Sequence, residues 1–124
     1  MKDLSRRFQA WGFDPNGGRW EYRLLARPVY RYEPKGESPA FDGAIFLFCE
    51  GTDPEIVLGI EARRTETGTA WHYALASLSD WEIHVRLDDN HVWSDGRDTL
   101  HNPGSPHWSH VFEGVRLPEV LAPK

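Results

Sequence analysis

The sequence predicts a mainly β domain, an antiparallel β-barrel or sandwich of about six or seven strands with one N-terminal helix. Three observations carry this. Residues 81–87 alternate strictly, with Trp81, Ile83, Val85 and Leu87 apolar and Glu82, His84 and Arg86 polar, the pattern of a strand with one face buried. Residues 55–95 hold four such stretches in succession, separated by short turns. Gly, Pro, Asn and Asp clusters punctuate the chain at short intervals, as they do in all-β domains.

Taken in order, Leu4, Phe8 and Trp11 fall on one helical face, so residues 1–12 are expected to form a short helix ended by Gly12 and the turn-rich residues 14–18. A helix this short needs a surface to dock on. Residues 19–32 read as a strand whose second half is demoted to an edge or bulge by Pro28. Residues 33–39 are a polar loop. Residues 44–49 are apolar without a break, which predicts a strand covered on both faces. Strands follow at 55–63, 70–77, 81–87 and 91–94, the last two joined by a tight turn at residues 88–90. After a polar loop at 95–106, residues 107–113 can form a last strand, and residues 114–124 read as a tail. The 124 residues suit one domain with one core.

Matching buried faces across each turn sets an expected register, since a slip of one residue turns a strand inside out. It pairs Cys49 with Ile56, Leu47 with Leu58 and Ile45 with Ile60, then Ile60 with Tyr73, Ala62 with Trp71 and Glu61 with His72. The opposite face carries Phe46, Phe48 and Val57, with a hollow at Gly59, and the N-terminal helix is its expected cover. Extending the pairing through the next hairpins places Glu61, His72, His84 and Asp95 in one polar row, flanked by Arg63, Glu82 and Arg86.

That row has the ligand types for a divalent metal such as Zn, Fe or Mn, and its residues could also act as acid and base. A solvated sheet face with complementary charges is the commoner origin of such a row. His101, His107 and His110 form a second group, without a Cys partner or a chelating helical spacing. Aromatic candidates for a ligand or partner surface are Trp71, Tyr73, Trp93 and Trp108. Trp93 and Trp108 lie beside turns, whereas Trp71 and Trp81 belong to the expected apolar face. Ser77, Ser79 and Asp80 form no triad with the histidines, and no Gly-x-Ser-x-Gly elbow occurs.

Composition narrows the class. Net charge is -5, with no basic run longer than a pair, so nucleic acid is not an expected partner. No apolar run is long enough for a membrane span or a signal peptide, which predicts a cytoplasmic protein. The single cysteine, Cys49, lies in an apolar run and reads as a buried, inert thiol. Together these features predict a non-enzymatic module that binds a small molecule or a protein and needs no cofactor. One alternative is a metal-dependent enzyme built on the Glu61 row. Another is a self-assembling protein, for instance a homodimer formed through an exposed sheet face or edge.

Overall fold

The computed structural model describes residues 2–36, 39–66, 68–96 and 115–116. Helix α1 (Lys2–Ser5) is a single turn. The strands that follow are β1 (Phe8–Phe13), β2 (Arg19–Glu21), β3 (Arg23–Leu24), β4 (Tyr30–Tyr32), β5 (Ala40–Glu50), β6 (Asp53–Thr65), β7 (Gly68–Ser77), β8 (Glu82–Leu87), β9 (Asn90–Asp95) and β10 (Val115–Arg116). They form two antiparallel sheets. One has the order β2-β1-β8-β9; the other runs β10-β7-β6-β5, with β3 and β4 both on the outer side of β5, and curves into a half-barrel.

The sheets share one core. Phe8, Ala10, Ile83, Val85, Leu87 and Trp93 enter it from the four-stranded sheet. Ala44, Phe46, Phe48, Ile56, Leu58, Ile60, Tyr73 and Leu75 enter from the other. Phe8 meets Tyr73 across the interface edge to face, with ring centroids 5.0 Å apart.

The expected helix over residues 1–12 is corrected to one turn followed by a strand. Phe8, Ala10 and Gly12 pair with Leu87, Val85 and Ile83 and face the core, while Trp11 points outward. Three apolar residues fit the helical period, but the alternation of residues 8–13 fits a strand equally, and pairing with β8 decides it.

The register of β5 is also corrected. Phe46 pairs with Leu58, Phe48 with Ile56 and Ala44 with Ile60, so Ala44, Phe46 and Phe48 face the core in place of Ile45, Leu47 and Cys49. A register shift between Phe48 and Cys49 accompanies the change. On β6 and β7 the expected pairs Ile60–Tyr73, Ala62–Trp71 and Glu61–His72 are all present.

Strand β8 does not fold back on β7. After β7 the Ser77 hydroxyl donates to the Ser79 carbonyl at 3.0 Å, and the Trp81 amide donates to the Ser79 hydroxyl at 3.0 Å. These bonds make a corner that carries the chain across to the other sheet. The β8–β9 hairpin turns on Asp88 (φ 52°) and Asp89 (φ 72°), one residue earlier than a turn on Asp89 and Asn90 would. Two successive positive φ values give the twist that a two-residue hairpin needs. Asp88 is further held by Arg7, whose Nε donates to it at 2.7 Å.

Trp93 is 3% exposed and belongs to the core, which corrects its expected place on a binding surface. Tyr73 is buried with it, and Trp71 packs half-buried against the core edge. Cys49 is buried, and burial pushes its thiol up from the ordinary range. No described helix is long and apolar enough to cross a membrane. Trp108, His101, His107, His110 and the expected strand at 107–113 lie outside the described residues. Val115 and Arg116, expected in the tail, pair with Tyr73 and His72 as β10.

Candidate functional site

Register places Tyr32, Gly43, Glu61 and His72 opposite one another on β4, β5, β6 and β7. Residues directly opposite in antiparallel strands point the same way. Their neighbours Ala44, Ile60 and Tyr73 face the core, so this row lies on the outer face of the half-barrel.

Glu61 is the centre of the row. The Tyr32 hydroxyl donates to its Oε1 at 2.6 Å, and Arg63 Nε donates to its Oε2 at 2.9 Å. Burial by itself would raise the Glu61 carboxyl. The hydrogen bonds from Tyr32 and Arg63, with the charges of Arg63 and His72, outweigh it and hold the carboxyl below its ordinary value. Burial, then the bond to Glu61 and its charge, push the Tyr32 phenol in the other direction, well above its ordinary value. At neutral pH the site therefore presents a fixed carboxylate and a neutral phenol.

Tyr32 reaches Glu61 because Gly43 lies between them without a side chain. A Cβ there would run into the Tyr32 ring. Beside Glu61 a cavity of about 140 Å³ opens, lined by Tyr32, Gly59, Glu61, Arg63, His72 and Ala74 among others. Gly59 and Ala74 are paired across β6 and β7, and their small size makes the hollow. Tyr30, two residues from Tyr32 along β4, is exposed and stacks on it with ring centroids 6.0 Å apart.

Of the four residues expected in one metal row, only Glu61 and His72 come together. His84 lies on β8 between Trp11 and Ser94, on the outer face of the other sheet, and Asp95 pairs with Ile83. The corner at Ser77–Ser79 breaks the row, because it moves β8 to the far side of the core. The proposed convergence of His72 and His84 on one ion, and the enzyme built on it, therefore have no geometric basis. Among the described residues the group of three metal-type side chains with ligand atoms mutually close is acidic, Glu50, Asp53 and Glu55, at the β5–β6 turn. It contains neither histidine.

One feature of the site was not derivable from the sequence pattern. The pairing of β4 with β5, which delivers Tyr32, cannot be read from a strand interrupted by Pro28. The alternation of Tyr30 and Tyr32 and the glycine at 43 are its traces. Comparison of the chain with protein-family models, curated proteins and solved structures finds no match.

Proposed function

We propose that this domain is a non-enzymatic binding module whose site is the Glu61 cavity, and that it takes a small neutral polar group of the carboxamide or urea type. The observation that carries the reading is Gly59. It lies mid-strand in the six-stranded sheet, where glycine weakens a strand by about 0.5–1 kcal/mol relative to alanine. A Cβ at Gly59 would meet nothing closer than the Ala74 carbonyl oxygen at 4.0 Å, so packing does not require the glycine. Its effect is to keep the hollow beside Glu61 open.

The chemistry of the hollow suggests the ligand. Glu61 and Arg63 neutralise one another, so the site has little net charge with which to attract an ion. A carboxylate has about four lone-pair positions, and Tyr32 and Arg63 engage Glu61 on both oxygens while leaving capacity for further donors. A ligand amide would donate to Glu61 and accept from Arg63. The cavity's 140 Å³ is less than half the ~300 Å³ at which drug-sized pockets begin, so it suits one such group and not an extended molecule.

The test is an NMR titration of the protein with acetamide, urea, acetate and butylamine. Acetamide and urea should perturb the backbone amides of Gly59, Glu61, His72 and Ala74, and Glu61→Gln should weaken the response. A stronger response to acetate or butylamine, or one centred elsewhere, would overturn the reading.

A further inference from the structure

On the outer face of the four-stranded sheet, His84 Nδ1 and His91 Nε2 lie 3.0 Å apart, and His84 Nε2 lies 2.9 Å from Glu82 Oε2. We propose that His84 and His91 form a two-histidine chelate for a divalent transition metal, Cu²⁺ or Ni²⁺, with Glu82 as the carboxylate that orients His84.

The backbone sets up this pairing through a bulge. Val85 pairs with Trp93 and Arg86 with His91, leaving Val92 as an extra residue on β9. Trp93 faces the core, so in a regular strand His91, two residues earlier, would face it as well. The extra residue turns His91 outward, to the face that carries His84. Bulges re-aim side chains in this way, and they recur beside functional sites.

The His84 ring is fixed before any ion arrives. It stacks on Trp11 at 5.3 Å between centroids and 9° between planes, and Phe13 meets it edge-on at 5.8 Å. In the tautomer whose Nε2–H donates to Glu82, the Nδ1 lone pair is directed at His91. A metal-bound histidine characteristically donates its other ring N–H to a carboxylate, and that partner sets the tautomer. Here the carboxylate is already in place. His91 is exposed, and moving its proton from Nε2 to Nδ1 frees the Nε2 lone pair for an ion. Entry of the ion then replaces the His84–His91 hydrogen bond without net proton loss.

The spacing also selects among metals. With metal–nitrogen bonds near 2.0–2.1 Å, donors 3.0 Å apart subtend about 90–100° at the ion. That is the cis angle of square-planar or octahedral coordination, which Cu²⁺ and Ni²⁺ prefer, and it is tight for tetrahedral Zn²⁺. Arg86, opposite His91, would oppose a cation, but its guanidinium bonds to Gln9 and lies over the Trp11 ring at 5.5 Å.

The experiment is titration of the untagged full chain with Cu²⁺ and with Ni²⁺, read by calorimetry and by paramagnetic broadening of backbone amide signals. The proposal predicts one tight site, with broadening centred on residues 82–86 and 90–94. His91→Ala, at an exposed position, should abolish that site. Glu82→Gln should weaken it by about tenfold or more, and His72→Ala should leave it unchanged. Equal binding by the parent and His91→Ala, or broadening centred on other histidines, would overturn it. So would the absence of binding in a parent whose spectrum shows it folded.

Discussion

The Tyr32 ring lies across Gly43, and only the missing side chain lets its hydroxyl reach Glu61 at 2.6 Å. The carboxylate, the phenol and the hollow beside them thus depend on two glycines, Gly43 and Gly59, on adjacent strands. Gly43 makes room for Tyr32, and Gly59 makes room for a ligand.

Gly43→Ala should displace Tyr32 and destabilise the fold by about 1–3 kcal/mol, the usual range for overpacking. Chemical denaturation measures the loss. Absorbance titration should show the Tyr32 phenol moving back down toward its ordinary value. Unchanged stability together with an unchanged phenol titration would mean that the ring does not need this gap.

The pH dependence of stability has a definite sign. In the folded protein the Tyr32 phenol holds its proton more tightly than at the ordinary value of 10.0. Its contribution is therefore complete below pH 10.0 and is lost as pH rises toward the folded value. Tyr32→Phe should reduce the alkaline loss in part, because burial also raises Tyr22. Glu61 acts in the opposite sense. Its contribution is complete above the ordinary carboxyl value of 4.5 and fades as pH falls through its lower folded value, so Glu61→Gln should flatten the acid limb. Denaturation midpoints across the pH range test both.

The strand at residues 8–13 separates two aromatics that a helix would have placed together. Phe8 is 3% exposed within the core, and Phe8→Ala should cost about 3–5 kcal/mol. Trp11, on the outer face, should cost only about 1 kcal/mol when changed to Ala, the scale of a cation–π contact, since it loses contacts with His84, Arg19 and Arg86. Comparable losses for the two would favour a docked helix.

Sequence reasoning reached the half of the site where alternation is informative. Along β6 and β7 the large apolar residues Ile56, Leu58, Ile60, Tyr73 and Leu75 share one face and Glu61, Arg63 and His72 the other, so Glu61 opposite His72 followed from pattern alone. Along β5 it failed. Residues 44–49 are apolar on both faces, so either register buries an apolar set, and the one observed differs by one residue. His84 was misplaced for another reason. A serine-bonded corner and a hairpin have similar turn residues, and only tertiary packing shows that β8 joins β1. The outward turn of His91 leaves no trace in the sequence, because the bulge that causes it falls within a short strand and has no residue signature of its own.

Gly59→Ala should stabilise the protein by about 0.5–1 kcal/mol, since the added methyl enters open space in a strand. A loss of stability would mean that the glycine serves the fold and would remove the main support for a site there.

The central claim is that the hollow at Gly59 is a binding site, and the most direct measurement is acetamide binding by Gly59→Val, followed by NMR beside the parent. The side chain of Val fills the hollow and leaves Glu61, Arg63 and Tyr32 in place. The account predicts binding by the parent, with shifts at Glu61, His72 and Ala74, and no binding by a Gly59→Val protein that is folded and at least as stable. Equal binding by both proteins, or none by the parent, would contradict it.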